Sequence, residues 1–338
     1  MASKIVTGDM PELMENILNN LNNEIYSLYS CALVSRHWCK MSIPILWQDP
    51  FSFNQSPLFI SKYFSSLGED EKFSLKECGI NTEFSKTLFD YARFLKVLNL
   101  SSLESNVEKW FCLQYVSPMP NYTQTVYRIV NLLFKLFVKS GATLHKLNLY
   151  FPSYEISPEI FYSLEQNEQF FSRLQNLSLG IASITSPFSI ENVENANTLL
   201  RILAKNTTKI DALKLGRFYP NNNEPQLFHT LVCVIKSQKQ LRQFSLVGEY
   251  ITELHGIVSA LENQKDTLQE VIIEYCDFSK EFEILKNCKN LETLRIRYCD
   301  TKLLKILNYN ISTLEIVDFF IEAPPIVQIL EKSGTFLK

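Results

Sequence analysis

Leu144-His145-Lys146-Leu147-Asn148-Leu149 is the stretch that decides the fold, because apolar residues stand at its first, fourth and sixth positions and this spacing returns along the chain. The alternation at its end is typical of a half-buried strand. Successive copies begin 49, 30, 36, 31, 27, 23 and 20 residues apart. The apolar positions of the eight copies are Leu95-Leu98-Leu100, Leu144-Leu147-Leu149, Leu174-Leu177-Leu179, Ile210-Leu213-Leu215, Leu241-Phe244-Leu246, Leu268-Val271-Ile273, Leu291-Leu294-Ile296 and Ile311-Leu314-Ile316.

Between the copies, the apolar period changes from two residues to that of an amphipathic helix. A unit of one strand and one helix, repeated many times, predicts an α/β solenoid with parallel strands on the concave face and helices on the convex face. The longest step contains an insertion over residues 101–122. A helical repeat of the HEAT kind is the alternative, which the strand-like alternation disfavours. The helical segments include Ile129–Phe137, Leu199–Leu203, Leu227–Ile235 and Ile326–Leu330.

The repeated unit resembles the leucine-rich repeat, whose period is ~20–29 residues. Cys276 and Cys299 each follow the last apolar residue of a copy by three positions, and Cys78 does so after a partial copy, Phe73–Leu75. The family places Asn or Cys there. A small, buried side chain is needed where the chain turns off the strand.

A short helical module is predicted before the first copy. Asp9 can cap a helix that has Glu12 at its third position, the reciprocal pairing of a capping box. Two more helices are expected over residues 24–29 and 31–40, followed by a short turn that Pro44 begins. About forty residues cannot build a self-sufficient core, so the following domain or a partner chain must cover this module. The apolar face of the first helix consists of Leu13, Ile17, Leu18 and Leu21.

These residues resemble the F-box, which usually reads Leu-Pro-x-Glu-Leu, Ile-Leu or Ile-Phe, Leu, Leu-Val-Cys-Arg-x-Trp and a final Leu-Trp. The matching residues here are Met10-Pro11-Glu12-Leu13, Ile17-Leu18, Leu21, Leu28, Leu33-Val34-Ser35-Arg36-His37-Trp38 and Pro44-Ile45-Leu46-Trp47. The chain departs from the motif in Met10 for the leading Leu and Ser35 for the Cys. The resemblance implies docking on a Skp-type adaptor of a cullin–RING ubiquitin ligase. The residues that it assigns to the contact are Pro11, Ile17, Leu18, Leu21, Leu33, Val34 and Trp38.

The pattern divides the chain into three parts. The F-box-like module is expected over 7–52, a linker and lead-in to the first repeat over 53–72, and the leucine-rich array over 73–338. Residues 332–338 repeat the start of 139–145, where a strand copy follows. We therefore expect either a truncated array or a terminal cap formed by a helix over 324–332.

Composition argues against several classes of function. A net charge of −3 gives no electrostatic footprint for nucleic acid. No signal peptide and no apolar run of the ~18 residues that a membrane span needs is present, so a cytoplasmic or nuclear protein is expected. The eight cysteines are scattered without a Cys-x-x-Cys pair and are interpreted as mostly buried, reduced and structural. No phosphate-binding glycine loop, nucleophile motif or metal-ligand spacing occurs, so we expect no enzyme, cofactor or metal site.

Side chains between the apolar strand positions should face solvent. On adjacent strands, Glu274 should neighbour Arg297, and Arg295 should neighbour Glu315. Such charges often form a cross-strand ladder that aids register, and the alternative is a patch that binds a partner. Exposed aromatic loops are also expected over 150–154 and 218–221. The partner-binding candidates are Tyr150, Lys214, Ile272, Glu274, Arg295 and Arg297.

The resemblance implies a substrate-recognition subunit. Its helical module would dock the adaptor, and its repeat array would hold a target protein near the ubiquitin-loading machinery. The alternative is a non-catalytic leucine-rich scaffold or inhibitor whose helical module is only an N-terminal cap. No motif in the sequence identifies the target protein.

Overall fold

The structure is a computed structural model. The chain divides into two compact units, residues 1–144 and 145–338. The structure describes residues 11–22, 24–52, 56–80, 84–114, 121–151, 156–181, 190–216, 225–251, 254–306 and 311–317. Four predicted features lie wholly or mostly outside these ranges: the Asp9 cap, the aromatic loops at 150–154 and 218–221, and the helix at 324–332. Within the described ranges, no helix is both long and apolar enough to cross a membrane.

The first unit opens with three helices, α1 (Pro11–Asn20), α2 (Ile25–Ala32) and α3 (Arg36–Leu46). Ser35 caps α3, because its hydroxyl accepts the Trp38 N–H at 3.3 Å. The prediction that Pro44 starts a separate turn is wrong, since α3 continues through it. A proline so near the end of a helix removes only one intrahelical bond, and Trp47 N–H still donates to the Ile43 carbonyl at 3.1 Å.

The three helices close a small core of their own. Met14, Leu18, Leu28 and Ile45 are buried together at its centre. Their spacing follows the helical period, so each helix presents one apolar side to the other two. Partly buried around this core are Leu21, Cys31, Trp38, Met41 and Leu46.

The remainder of the first unit packs mainly helices. Two 3₁₀ turns occur at Pro57–Phe59 and Tyr91–Phe94, and the only regular strand described in this unit is β1 (Val97–Asn99). The four helices are α4 (Ile60–Phe64), α5 (Glu69–Glu77), α6 (Leu100–Gln114) and α7 (Tyr122–Lys139). The segment predicted as a linker thus contains α4, whose Ile60, Tyr63 and Phe64 are buried.

Two segments of this unit that the sequence left without a predicted helix are helical. The partial copy Phe73–Leu75 lies inside α5, and Cys78 is the C-cap of that helix, so the prediction of a strand followed by a repeat-type cysteine is wrong there. Three acidic residues in the first turn favour the helix. The insertion over 101–122 holds most of α6, whose Trp110 is buried and donates its indole N–H to the Ser61 hydroxyl at 2.8 Å.

The chain that leaves α3 is fixed to the rest of the first unit at two residues. The Trp47 ring stacks on Tyr91 with 4.0 Å between centroids. The Gln48 carbonyl accepts the Lys96 N–H at 2.9 Å and the Val97 N–H at 3.0 Å. Because these two N–H groups stand at the start of β1, the Gln48 carbonyl acts as a backbone hydrogen-bond acceptor for the first residues of the strand.

The second unit is built on a parallel sheet. In its described part, seven strands follow one another in chain order, each hydrogen-bonded to the next. They are β2 (Lys146–Phe151), β3 (Asn176–Ile181), β4 (Ala212–Gly216), β5 (Gln243–Ile251), β6 (Glu270–Cys276), β7 (Thr293–Arg297) and β8 (Thr313–Val317). The prediction of an α/β fold with parallel strands is therefore confirmed, and this sheet is compatible with an α/β solenoid.

The later connections between these strands are shorter than the earlier ones. The earlier ones contain α8 (Pro158–Gln166), α9 (Ile190–Asn206) and α10 (Pro225–Ser237). In the residues that the structure describes, the later ones contain only 3₁₀ helices, at Ser259–Gln264, Lys280–Asn287 and Thr301–Ile306. The predicted strand–helix alternation holds, but copies that start 27 residues apart or less lack room for a long α-helix.

The same pair of backbone hydrogen bonds stands at the start of every strand from β3 to β8. The His145 carbonyl accepts N–H groups from both Gln175 and Asn176 at 3.0 Å, which sets the register of β3 beside β2. Gln48 makes the same paired contact in the first unit. The carbonyls that repeat it on later strands are those of Gln175, Asp211, Arg242, Gln269 and Glu292.

Candidate partner-docking surfaces

The helical module exposes large apolar side chains that its own core does not use. On α1, Leu13 and Ile17 are 37% and 38% exposed, and they lie one turn apart on one side of the helix. At the end of α2, Leu33 is 72% and Val34 is 57% exposed. Apolar side chains this exposed are uncommon in clusters on proteins that act alone.

Two tyrosines on α2 add to this exposed set. Tyr26 is 90% and Tyr29 is 59% exposed. They precede Leu33 by seven and four residues, and Leu33 keeps a helical backbone conformation, so the three share one side of α2. The family motif contains no tyrosine at these positions, and the sequence analysis missed them. Helical spacing from Leu33 was the signal that would have found them.

The structure separates the seven predicted docking residues. Ile17, Leu33 and Val34 are exposed, whereas Leu18 has no exposed surface and belongs to the module core. Leu21 and Trp38 are partly buried against the same core. Pro11 is the first residue of α1, and its side chain lies outside the described part of the structure. Three of the seven predicted docking residues are therefore shown to be exposed.

The second candidate surface is the solvent face of the sheet, defined by the strand positions between the buried ones. Register aligns these positions in rows across β2 to β8. The middle row consists of Asn148, Ser178, Lys214, Ser245, Ile272, Arg295 and Glu315. The row nearer the ends of the strands consists of Tyr150, Gly180, Gly216, Val247, Glu274, Arg297 and Val317.

Charged residues on β6, β7 and β8 form one network. Arg295 lies between Glu270 and Glu315, with N···O distances of 2.9 and 2.8 Å. Arg297 lies between Glu274 and Glu315, at 2.7 and 2.8 Å. The predicted neighbours Glu274–Arg297 and Arg295–Glu315 are confirmed by the register.

The network shifts the ionisation of its members. Hydrogen bonds to Glu274 and Glu315 raise the pKa of the Arg297 guanidinium. Hydrogen bonds from Arg297 and Arg295 lower the pKa of the Glu315 carboxyl. All five charges lie on the adjacent strands β6, β7 and β8, which supports the interpretation as a cross-strand ladder. Each arginine already has two carboxylate partners.

Tyr150 lies across the strands beside it. A Cβ added to Gly180 would sit 2.5 Å from two atoms of the Tyr150 ring, and one added to Gly216 would sit 3.8 Å from its hydroxyl oxygen. The ring therefore lies over two neighbouring glycines. A larger side chain at either position would fill the space that the ring occupies. Tyr150 and Lys214 lie on β2 and β4, away from the other four predicted partner-binding residues.

The cysteines that mark the repeat pattern lie where the strands end. The Cys276 thiol donates to the Glu274 carbonyl at 3.3 Å, and the Cys276 N–H donates to the Cys299 sulfur at 3.4 Å. A hydrogen bond with Cys299 and burial raise the pKa of the Cys276 thiol. All eight cysteines are free. Three are buried, but Cys112 and Cys233 are exposed, so the interpretation as mostly buried residues holds only for part of the set.

The described residues contain no group of three or more side chains that could hold a metal ion. The comparisons with known proteins add no identity, since no family model matches the chain. Among curated proteins, none matches the sequence either. Functional inference therefore rests on the two surfaces.

Proposed function

We propose that this chain is the substrate-recognition subunit of a cullin–RING ubiquitin ligase. In this proposal, the helical module is an F-box that docks a Skp-type adaptor, and the second unit is a leucine-rich-repeat array that binds a target protein. The observation that carries the proposal is the exposure of Ile17, Leu33 and Val34, which the F-box resemblance assigns to the adaptor contact, on a module whose core is closed without them.

Burial energetics support a docking role for these side chains. Covering one Leu, Ile or Val side chain contributes about 1.5–3 kcal/mol, so a partner that buries several of them gains a substantial part of a stable interface. Leu13, Tyr26 and Tyr29 extend the same exposed set. Tyrosine is among the residues enriched at energetically important contacts.

The repeat identity of the second unit is supported by three independent features. The strands follow the spacing of the apolar copies, the last three steps lie within the family period of ~20–29 residues, and Cys276 and Cys299 stand at the family's small-residue position. On this proposal, the chain contributes proximity. It holds the target beside the ubiquitin-loading subunits, and those subunits supply the bond chemistry.

Co-purification tests the proposal. The full chain, expressed with a tagged Skp-type adaptor, should be retained with it. Leu33→Asp combined with Val34→Asp should abolish retention, because both changes place a carboxylate in the proposed interface. Phe73→Asp combined with Tyr162→Asp is the matched control, since these two residues are 62% and 65% exposed outside the module. Failure of the wild-type chain to bind, or equal retention of both double variants, overturns the proposal.

A second candidate is a leucine-rich scaffold whose helical module is only an N-terminal cap. The paired contact of the Gln48 carbonyl with Lys96 and Val97 favours it, because this is what a cap must supply to a first strand. Capping uses Trp47 and Gln48 and leaves Leu33 and Val34 without a role. A chain that is monodisperse alone and ignores every Skp-type adaptor would favour the scaffold.

A further inference from the structure

The solvent face of the sheet carries charge in two different ways. On β6 to β8, every charged side chain of the face belongs to the network of two arginines and three glutamates. On β2 to β5, the charged side chains whose exposure the structure describes at these positions are Lys146 and Lys214, both exposed. Neither is paired with a carboxylate in the described part of the chain. Among the side chains that the structure describes on this face, the unpaired positive charges therefore lie in its first half.

Neutral polar side chains fill the positions around the two lysines. Asn148 follows Lys146 on β2, and Asn176 and Ser178 stand on β3, between the strands that carry the lysines. On β5, Gln243 and Ser245 continue the same rows. Amides and hydroxyls donate hydrogen bonds to carboxylate oxygens as well as to peptide carbonyls, so the described side chains around the two lysines are hydrogen-bond donors without negative charge.

Tyr150 gives this half of the face an aromatic element. Its ring rests on Gly180 and reaches toward Gly216, so its position is set by the strands beneath it. A ring held in this way offers an apolar surface at low entropic cost, because little side-chain freedom remains to be lost on binding. The two glycines leave the space in which the ring lies.

We propose that the face of β2 to β5 binds an extended, acidic segment of the target protein. Lys146 and Lys214 would pair with two carboxylates of that segment, and an apolar side chain of the segment would lie on Tyr150. This inference rests on the proposed function, since it names the chemistry of the target that the array holds. It also divides the six predicted partner-binding residues. Tyr150 and Lys214 contact the target, and Glu274, Arg295 and Arg297 hold the later strands in register, while Ile272 has neither role.

The spacing of the lysines favours carboxylates over a phosphate group. Two strands and two residues along a strand separate Lys146 from Lys214, which places their Cα atoms about 12 Å apart. An extended segment covers this distance in about four residues, so two separate acidic side chains match it. Arginine forks are the usual partners of phosphate, and both arginines of the face are already bound to glutamates.

Selection from a random peptide library tests the inference without knowledge of the target. The full chain is immobilised at low salt, where charge pairing is strongest, and displayed peptides are selected on it. Enriched peptides should carry two or more Asp or Glu residues within a short stretch. A synthetic enriched peptide should bind the wild-type chain, and should bind Lys146→Glu combined with Lys214→Glu at least about tenfold more weakly.

The matched control is Lys236→Glu combined with Lys286→Glu, which makes the same change in net charge at exposed helical positions. It should bind the peptide like the wild type. Absence of enriched peptides, enrichment without acidic bias, or equal weakening in both double variants overturns the inference. Adaptor retention, measured on the same variants, separates the two proposals. Failure of the adaptor to retain the wild-type chain contradicts the ubiquitin-ligase role. Unchanged peptide binding by the Lys146→Glu, Lys214→Glu variant contradicts this inference alone.

Discussion

Trp47 and Leu33 show two uses of a large apolar residue within the same fifty residues of sequence. Both belong to the F-box-like pattern, and the pattern alone gives them equal weight. In the structure, Trp47 stacks on Tyr91 and makes edge contacts with Phe59 and Tyr63. Leu33 remains 72% exposed. The first therefore contributes to the folded state, and the second is available to a partner.

Replacing Trp47 with Ala should lower the free energy of unfolding by about 2–4 kcal/mol, because three ring contacts and much of the buried surface are lost. Leu33→Ala should change it by no more than about 0.5 kcal/mol, as is usual for exposed positions. Urea unfolding followed by far-UV circular dichroism measures both. Equal destabilisation by the two substitutions would contradict the division of roles.

Gly180→Ala tests whether the Tyr150 ring lies over Gly180. The new Cβ would meet the ring at 2.5 Å and the Gly216 carbonyl oxygen at 2.9 Å, so a cost of about 1–3 kcal/mol in unfolding free energy is expected. In a Tyr150→Ala background the cost should fall, because the ring clash is gone and only the carbonyl contact remains. A double-mutant cycle measures the difference. A cost that is the same with and without the ring would show that Tyr150 does not cover Gly180.

At the scale of elements, the sequence predicts the parallel strands, but it does not predict several of the helices in the first unit. Eight apolar copies predict eight strands, because their alternation reports burial directly. Phe73–Leu75 matches the same letters but lies in α5, since Glu69, Asp70 and Glu71 before it favour the first turn of a helix. A short apolar phrase does not distinguish the two states, and its flanking residues decide between them.

The network of β6 to β8 gives these strands a pH dependence. The pKa of Glu315 lies below its usual value of 4.5 in the folded chain because arginines bond its charged form. Its contribution to stability is therefore complete above about 4.5, and it is lost as pH falls toward the lowered folded-state value. Glu315→Gln removes this contribution at every pH.

The difference in thermal midpoint between the wild-type chain and Glu315→Gln should consequently be largest near neutral pH and shrink as the pH is lowered below about 4.5. Circular dichroism melts from pH 7 to pH 3 measure it. Asp300→Asn is a suitable control, since Asp300 pairs with Lys302 outside the network. A difference that grows with acidity would contradict the stated direction.

At the scale of the whole molecule, the sequence predicts the class of fold and the presence of an N-terminal helical module better than it predicts which residues are exposed. Leu18 and Ile17 are adjacent in the motif, yet one is fully buried and the other is not. Burial in so small a module depends on how three helices pack, and a linear pattern does not contain that information. The same applies to Tyr26 and Tyr29, which become visible only when α2 is in place.

The later half of the sheet illustrates the complementary case. Cross-strand pairing of Glu274 with Arg297 follows from counting positions in two adjacent copies, because register in a parallel sheet is set by the apolar pattern. The seating of Tyr150 on Gly180 does not follow from counting, since it depends on the direction that one side chain takes. Sequence therefore predicts rows of positions, and structure is needed to predict the surface those rows present.

The most direct test of the central claim is the affinity of the full chain for a purified Skp-type adaptor, measured by titration calorimetry. The wild-type chain should bind, and Leu33→Asp combined with Val34→Asp should weaken binding by about 100-fold or more, as expected when central apolar contacts worth ~2–4 kcal/mol are lost. Phe73→Asp combined with Tyr162→Asp should bind like the wild type. No measurable binding of the wild-type chain, or the same affinity for all three proteins, would contradict the account.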